Sequence, residues 1–561
     1  MKIKLIIVLS FILFGSLVFG QSVQYQPNAL AVEYLRILDI QDSSFYNFHA
    51  GLRNYFRKDV VKLVGHLDDQ MPSDLRKKYL IQDNSKYFNK EILGEDRVGF
   101  LSKNIYKNPA NLFQLETENF DLFINPILNL SFGKEKQRET LRFHNMRGLE
   151  LYGSIDDKVY FYSNILEAQA NFHNYVDQRI IKFSAIPGFS FYKPFISRFN
   201  KNLVGRDFSN AQGYLGIPIS KHINVEFGHG RHFIGHGYNS LLLQDYSNNY
   251  FYLKLNTRVW KFHYQNIFAE LSPISTRLNP EDVLLPKKYM AVHYLSFKPT
   301  QNFEIGLFEA ITFSRLNNFE FHYLNPVILY RTVEYYLDSP DNVMLGLNVN
   351  WNPWNKFSLY GQIIIDDLRT TELFSGNGWY GNKFGGQLGV LYPEVGGIKN
   401  LNARVEVNAV RPFTYTHRDT VPSFPNYSIA NYSNYNQPLA HPLGANFQEI
   451  IFTLDYQPTE SILLKMKYIR AVQGQSRLNF YSGDNILRPD SQRESDFGAS
   501  FLQGKRTTMN LFQLDLSYSF LHNYFIDLKY LVRREDSGQI LNTDYWGIGI
   551  RANIVEHRID Y

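Results

Sequence analysis

Long runs in which apolar and polar residues alternate restrict the fold of this chain more than any other feature. In the run 512–520, every even-numbered residue is Phe, Leu or Tyr, and every odd-numbered residue is Gln, Asp or Ser. Successive side chains of a β-strand point to opposite faces, so this period of two predicts strands with one apolar and one polar face. Similar runs occur at 343–351, 401–408, 462–468 and 524–533. We expect strands of about 9–11 residues, longer than most soluble strands.

Two all-β folds satisfy this pattern, a soluble sandwich and a transmembrane barrel. A sandwich buries its apolar face, whereas a barrel turns that face to lipid and lines its lumen with polar side chains. The composition favours the barrel, because aromatic residues make up 16% of the chain and the mean hydropathy is −0.30 although 44% of the residues are hydrophobic. Tyr and Trp near the strand ends would form the interfacial girdles of such a barrel.

The first 20 residues predict export from the cytoplasm. Lys2 and Lys4 precede an apolar centre at Leu5–Phe14, and Gly20 precedes the expected cleavage position, as in a secretory signal peptide. After Gly20 the sequence has no run of about 18 apolar residues that could form a spanning helix. We therefore expect the protein in the outer membrane of a Gram-negative cell, held there by strands.

The region that follows the signal peptide has a helical period. We expect one helix through Leu30–Leu38 with Asn28 as its cap, and a second through Leu52–Leu67. A third helix is expected to start after Ser73 or Asp74.

These patterns predict three parts. They are a signal peptide at 1–20, a small helical module at 21–115 that is periplasmic or plugs the barrel, and an outer-membrane β-barrel at 116–561.

Turn and loop lengths predict the number of strands. Short turn signals such as Asp156–Asp157 contrast with long polar connections such as 419–444, an asymmetry typical of outer-membrane barrels. At roughly 25 residues for a strand and its share of loops, the barrel region accommodates about 18 antiparallel strands, and 14–18 are plausible. The alternation at 546–554 and the aromatic Tyr561 predict a closing C-terminal strand.

Charge and cysteine content exclude several function classes. The net charge is only +5, which is not typical of a nucleic-acid binder. The sequence has no cysteine, which excludes a disulfide framework, a thiol nucleophile and a thiolate metal site. It also has no G-x-S-x-G, H-E-x-x-H or P-loop pattern, so we expect neither an enzyme nor a cofactor.

The segment 228–240 is dense in glycine and histidine. Its three histidines, His229, His232 and His236, are three and four residues apart, a spacing that could hold a metal on a helix. Four glycines in the same segment argue against a helix. We therefore interpret it as a tight turn or a lumen-facing strand and expect no metal site.

Residues 228–248 resemble the signature of the Wzi-like capsule-assembly family of outer-membrane proteins. Further blocks resemble the Bacteroidota branch of that family, which includes gliding-motility proteins of the RemB type. Those blocks are Tyr323–Val327, Tyr330–Glu334, Ser339–Asn342, Gly378–Gly385, Val410–His417 and Tyr435–Asn446. The resemblance implies a large non-enzymatic barrel with a helical periplasmic part, which organises surface polysaccharide or takes part in gliding.

Some residues could form either a saccharide site or the polar network of a lumen. Saccharide sites combine aromatic rings with planar polar donors. The residues that offer these groups are Arg231, Trp379, Tyr380, Asn382, Arg411, Tyr415, His417, Tyr435, Asn436 and His441. Arg331 and Glu334, by contrast, are expected to form a structural ion pair in a polar lumen.

The sequence thus favours an outer-membrane barrel that acts at the cell surface in gliding motility or in capsule attachment and assembly. Its expected partners are outer-membrane lipid, surface polysaccharide, and gliding or cell-envelope proteins, without nucleic acid. A porin-like solute channel is the first alternative, which a plugged lumen would disfavour. An outer-membrane hydrolase is the second, and it would need Ser, His and an acid to converge at one loop site.

Overall fold

The computed structural model describes most of the chain after the predicted signal peptide, which itself lies outside the described residues. These are 22–42, 48–64, 73–88, 110–189, 191–198, 201, 203–275, 285–315, 318–339, 341–418, 420–421, 424–555 and 557–561. The helices among them are too short or too polar to cross a membrane.

The described helices are short. They are α1 (Leu30–Gln41), α2 (Arg57–Val64), α3 (Leu75–Asp83), α4 (Asn174–Phe183), α5 (Tyr330–Leu337) and α6 (Thr370–Ser375). Single 3₁₀ turns lie at Ser85–Tyr87, Phe321–Leu324, Pro353–Asn355, Val395–Gly397 and Asp490–Gln492.

Strands make up most of the remaining structure. They are β1 (Phe113–Glu116), β2 (Phe120–Glu135), β3 (Arg142–Ile155), β4 (Val159–Asn171), β5 (Lys193–Ile196), β6 (Val204–Pro218), β7 (Ile223–Gly230), β8 (Tyr250–Val259), β9 (Phe262–Leu271), β10 (Lys288–Thr300), β11 (Phe303–Phe313), β12 (Asn342–Trp351), β13 (Ser358–Asp367), β14 (Lys383–Tyr392), β15 (Leu401–Val410), β16 (Thr420–Val421), β17 (Phe424–Ser428), β18 (Ser433–Asn434), β19 (Gln437–Pro438), β20 (Phe447–Thr459), β21 (Ile462–Gln475), β22 (Lys505–Leu521), β23 (Tyr524–Asp536) and β24 (Ile540–Ala552).

Eighteen of these strands form one closed antiparallel barrel. Neighbours in the chain are neighbours in the wall, except that β4 pairs with β6 and β15 pairs with β20. The barrel closes where β24 pairs with β2, from Leu128 opposite Ala552 to Glu135 opposite Tyr545. The short strands β1 and β5 extend the wall beside β2 and β6. The predicted transmembrane barrel of about 18 antiparallel strands is confirmed.

The alternating sequence assigns one face of each strand to the lumen. In β15, Arg404, Glu406 and Asn408 are buried inside the barrel, whereas Val405 and Val407 are exposed on its outer wall. An outward apolar belt contacts lipid, and an inward polar face lines the lumen. A shift of one residue would exchange the two faces, so the hydrophobic pattern fixes the register of the wall.

The two ends of the barrel differ in the length of their connections. At one end, called here the short-turn end, pairs such as β8–β9, β10–β11 and β22–β23 are joined by two residues each. At the opposite end, the long-loop end, residues 231–249, 411–446 and 476–504 connect successive wall strands.

The helical module packs against the short-turn end. Arg76 Nη2 of α3 is 3.0 Å from Glu394 Oε1, which lies in the turn between β14 and β15. Asp83 Oδ1 is 3.0 Å from His522 Nε2, in the turn between β22 and β23. These contacts connect the module to turns on different sides of the barrel.

The helix predictions are correct in part. The helix α1 lies where it was expected, but its cap is Ala29, which makes no side-chain cap bond. The amide of Asn28 instead donates to Asp245 Oδ2, because this carboxylate extends from the lumen towards it. Asp74 does cap α3, since its side chain accepts from two backbone N–H groups of the first turn.

The second predicted helix is shorter than expected. It begins at Arg57, because Leu52 instead forms a β-bridge with Ile234 inside the barrel. Its expected end at Leu67 lies outside the described residues.

The closing strand is shorter than the sequence predicted. β24 ends at Ala552, and the residues that follow it fold back into the lumen. There the Tyr561 hydroxyl donates to Glu449 Oε1, and Asp560 forms an ion pair with Lys467. Glu449 and Lys467 lie on the polar inner face of the barrel wall, so the tail that pairs with them lies in the lumen. Tyr561 is therefore a lumen residue and not part of the closing strand.

Candidate functional site

The histidine-rich segment lies inside the barrel. Only Gly228–Gly230 are part of a strand, and residues 231–249, called here the lumen loop, fold into the interior from the long-loop end. Leu241, Leu242 and Leu243 are fully buried there. The expectation of a tight turn or strand is therefore wrong for most of this segment.

A buried carboxylate holds the lumen loop on the wall. Glu406 accepts hydrogen bonds from the backbone N–H groups of Tyr238 and Asn239, the latter at 3.1 Å. The Tyr360 hydroxyl and the side-chain amides of Gln387 and Asn408 also donate to it, at 2.9, 3.3 and 2.9 Å.

Glycine is required where the loop touches this carboxylate. A Cβ on Gly237 would lie 2.7 Å from Glu406 Oε2 and 2.4 Å from the carbonyl oxygen of Asn239. Gly235, two residues earlier, has φ +142, a conformation that favours glycine.

A second buried network includes the predicted site residue His441. Its Nε2 is 2.8 Å from Glu449 Oε2, and both side chains are fully buried. The amides of Asn239 and Asn408 also donate to this carboxylate, and the His441 ring stacks on Phe447 at 4.3 Å. His441 is thus part of the lumen network, away from any surface.

The three histidines of the motif point to different places. His229 is exposed on β7, His232 packs against Tyr252 at 4.5 Å, and His236 Nε2 is 3.6 Å from Glu304 Oε1. The described part of the chain contains no cluster of three or more potential metal ligands.

One Ser–His contact near the module bears on the hydrolase alternative. Ser296 Oγ is 2.7 Å from His49 Nδ1, and the same hydroxyl donates to Glu304 Oε1 at 2.9 Å. The Ser296 hydroxyl is thus shared between a buried imidazole and a buried carboxylate inside the barrel. Burial also lowers the pKa of His49 to about 4, and Ser296 is fully buried. The arrangement is that of a structural network.

Four of the predicted site residues meet at the long-loop end. Asn382 receives the backbone N–H of Arg369 on its Oδ1 at 2.9 Å, and its carbonyl oxygen accepts from Arg411 Nε at 2.8 Å. The rings of Trp379 and Tyr380 are 5.6 Å apart.

Two guanidinium groups cover these rings. That of Arg369 lies 4.4 Å from the ring centroid of Trp379, and that of Arg493 lies 3.5 Å from the centroid of Tyr380. Such contacts attract a cation to the face of an aromatic ring. We call this set the rim cluster, and its residues are Arg369, Trp379, Tyr380, Asn382, Arg411 and Arg493.

The charge of the rim cluster is only partly neutralised. Arg493 pairs with Asp496 at 2.5 Å. Arg369 and Arg411 have no carboxylate partner among the described residues, and Arg369 is exposed. His417 follows Thr416, whose carbonyl oxygen accepts from Lys383 Nζ at 2.9 Å, and burial together with this lysine lowers the pKa of His417 to about 4.

The remaining predicted residues are dispersed. The Tyr415 hydroxyl donates to the carbonyl oxygen of Leu241 at 2.7 Å, which anchors the lumen loop. Asn436 donates to Ser275 Oγ at 2.8 Å, and Tyr435 is half-buried beside it.

Arg231 lies deeper in the lumen. It donates to the carbonyl oxygen of Asp245 at 3.3 Å and contacts His557. Arg231 therefore belongs to the polar network inside the barrel. Of the predicted site residues, the structure brings together Trp379, Tyr380, Asn382 and Arg411 and separates the others.

Sequence reasoning missed two members of the rim cluster. In the sequence, Arg369 follows Asp366 and Asp367 after the apolar Ile363–Ile365, a charged group typical of the edge of a loop. Arg493 comes from another long loop, and nothing in its local sequence connects it to Tyr380.

The lumen also contains a cavity of about 340 Å³ along the side formed by β2–β4 and β20–β24. Charged side chains of both signs line it, including Glu33, Arg404, Asp455 and Lys467. Its mixed charge fits a hydrated space between the wall and the segments that fill the lumen.

Comparison with known proteins identifies relatives of this structure. The profile of the family described as capsule assembly protein Wzi matches residues 162–536. Among solved structures, the chain is similar to Wzi of Escherichia coli, an outer-membrane protein involved in group 1 capsule assembly and described as a carbohydrate-binding β-barrel. That match has a TM-score of 0.56 and 13% identity, and it covers 95% of this chain and 99% of the other.

Other similarities are weaker. OprD of Pseudomonas aeruginosa matches with a TM-score of 0.42 and 9% identity, over 78% of this chain and 96% of that one. OccAB2 of Acinetobacter baumannii matches with a TM-score of 0.42 and 8% identity, over 78% and 99%. No match was found among curated protein sequences.

Proposed function

The chain belongs to the Wzi capsule-assembly family, and from this premise we propose that it holds exopolysaccharide at the cell surface without catalysing a reaction. It is an outer-membrane β-barrel. Long loops of such barrels face the exterior and short turns face the periplasm. The rim cluster would then face outwards, and the helical module would lie on the periplasmic side.

The rim cluster is the observation that carries this proposal. The exposed guanidinium group of Arg369 lies over the largely buried ring of Trp379, which orients a planar donor that can bind the hydroxyl edges of a sugar. Arg369 and Arg411 add two positive charges without a described carboxylate partner. Guanidinium groups bind carboxylates in a planar, bidentate geometry. The ligand class is therefore an acidic saccharide, such as a polymer with uronic acid units.

The filled lumen argues against the porin-like alternative. The lumen loop enters from the long-loop end, and the tail after β24 enters from the short-turn end. The two segments meet where the Tyr238 hydroxyl donates to Asp560 Oδ2 at 2.7 Å. A solute pore would need these packed segments to leave the lumen.

We also propose that the chain belongs to the Bacteroidota branch of the family. The blocks that resemble this branch, Gly378–Gly385 and Val410–His417, contribute most of the rim cluster. A role in gliding remains the alternative outcome at the level of the cell, because one fold can serve several functions.

A binding measurement tests the proposal. The purified barrel is titrated with polygalacturonate as an acidic polymer and with dextran as a neutral one. We expect polygalacturonate to bind more tightly, and the variant Arg369→Gln to bind it about 10-fold more weakly, the loss of one charge-assisted contact. Arg534→Gln is the matched control, because Arg534 is a partly exposed arginine of β23 that pairs with Asp544.

Equal affinity for both polymers, or equal effects of the two substitutions, would refute the rim cluster as the site. In cells, a deletion strain is scored for retained polysaccharide and for colony spreading. Loss of polysaccharide with normal spreading supports capsule attachment. Lost spreading with unchanged polysaccharide would assign the protein to gliding instead.

A further inference from the structure

The connection between β11 and β12 packs on the outside of the barrel. His293 of β10 and Glu309 of β11 are paired in the sheet and alternate with lumen-facing residues such as Tyr294. They therefore point away from the lumen. The Tyr330 ring lies 4.0 Å from the His293 ring, and the backbone N–H of Arg331 donates to Glu309 Oε1 at 3.2 Å. Residues 318–339, called here the outer-wall segment, cover this part of the wall.

The outer-wall segment descends to the middle of the strands. The carbonyl oxygen of Pro326 accepts from the Tyr264 hydroxyl at 2.5 Å and from Asn266 Nδ2 at 3.2 Å. Asn266 lies near the centre of β9, a strand of 10 residues. The apolar belt of an outer-membrane barrel is about 25 Å tall, so the middle of a strand lies within it. The segment thus occupies a height at which the neighbouring wall contacts lipid.

The outward side of the segment carries large apolar side chains beside polar ones such as His322 and Arg331. It exposes several large side chains, which are Phe321, Val327, Leu329, Tyr335 and Tyr336, by 62–83%. The adjacent wall is also apolar and exposed, as Leu307 of β11 and Leu345 of β12 show. The face of the segment is therefore continuous with the lipid-facing belt of the barrel.

Glu309 attaches the segment to the wall. Its carboxylate lies at the start of α5, where helix N–H groups lack partners within the helix. A negative charge at a helix N-terminus is favourable, and the helix in turn shields a carboxylate that would otherwise face lipid. Arg331 and Glu334, predicted as a lumen ion pair, do pair at 2.6 Å, but on this outer surface.

We propose that residues 318–339 form a membrane-embedded element whose apolar face is covered by the acyl chains of the outer leaflet, with Glu309 as its clasp on the barrel. Bilayer lipid is the occupant because the exposed face continues the belt that lipid already covers. The element would widen the barrel on one side and anchor it in the outer leaflet.

Single-cysteine labelling tests this proposal cleanly, because the chain has no cysteine of its own. Tyr336→Cys and Val327→Cys are labelled with an NBD fluorophore and reconstituted in phosphatidylcholine vesicles. Leu307→Cys is the control for a lipid-facing strand position, and Leu478→Cys, in a long loop and fully exposed, is the control for water. Refolding of each variant is checked by its heat-modifiable migration on a gel.

The expected result is that lipid-borne doxyl groups quench the Tyr336 and Val327 labels to within twofold of the Leu307 label. Iodide in the buffer should quench them at least threefold less than the Leu478 label. Iodide quenching equal to that of Leu478 would overturn the proposal. If neither quencher reaches the Tyr336 and Val327 labels, and quenching appears once the protein is diluted in lipid, a second copy of this chain covers the face and the proposal is overturned.

The clasp is tested by Glu309→Gln in the labelled Tyr336→Cys background. We expect iodide quenching of this label to rise at least twofold while heat-modifiable migration is retained, because the helix loses its charged partner. Unchanged quenching would exclude Glu309 as the clasp.

Discussion

Replacing Glu406 by glutamine should loosen the lumen loop from the barrel wall. The carboxylate accepts from two backbone N–H groups, one tyrosine hydroxyl and two side-chain amides. Glutamine retains one acceptor oxygen and presents an amide donor to groups that are themselves donors. At least two buried donors then lose their partner, at about 1–3 kcal/mol each, so we expect a loss of about 2–6 kcal/mol.

Two measurements follow this change. Urea unfolding of the barrel in lipid vesicles reports the free energy of unfolding, and planar-bilayer recording reports the conductance of the lumen. We expect the wild-type protein to be closed and Glu406→Gln to show transient openings, because the released loop leaves space along β13–β15. The control is Glu460→Gln, since Glu460 is an exposed turn residue paired with Lys78, a contact worth about 0–1 kcal/mol.

The reasoning fails if Glu406→Gln unfolds within 1 kcal/mol of the control and conducts no more than the wild-type protein. Stable openings in the wild-type protein would instead support the porin-like alternative. A destabilised but closed variant would refute only the link between this loop and the pore.

Three further predictions concern stability. Asp83→Asn should lower the free energy of unfolding by about 3–5 kcal/mol in a urea titration, because it leaves Arg57 and His522 buried without their carboxylate. Burial lowers the pKa of His49 to about 4, so the folded protein binds a proton at this imidazole less readily than the unfolded chain does. The contribution of neutral His49 to folding stability is therefore complete above pH 6.5 and is lost as the pH falls towards 4. Urea unfolding should show a free energy of unfolding about 2–3 kcal/mol lower at pH 4.5 than at pH 7.5, and His49→Gln should reduce that difference. Gly237→Ala should lower the unfolding midpoint by more than the control Gly386→Ala, because the methyl on Gly237 would lie 2.7 Å from Glu406 Oε2, whereas the one on Gly386 would lie 4.0 Å from the carbonyl oxygen of Gln362.

The architecture of the wall could be read from the sequence because it depends on a local rule. The alternation at 401–408 shows which side chains share a face of the strand. Of the two ways to orient that strand in the wall, only one keeps its polar face away from lipid. Strand number followed from chain length for the same reason, since every wall strand needs a similar share of residues. The Asp74 cap is equally local, because a carboxylate and the N–H groups that it binds are two or three residues apart.

The contents of the lumen and the composition of the rim cluster were decided by the tertiary structure. Closing the barrel creates a polar interior, and loops enter it wherever buried partners such as Glu406 and Glu449 satisfy their backbone and side chains. Tyr380 and Arg493 meet only because two long loops end at the same rim, a proximity that no local pattern encodes. Periodicity within a strand is a property of neighbouring residues, whereas the destination of a loop depends on which distant groups leave hydrogen bonds or charges unsatisfied.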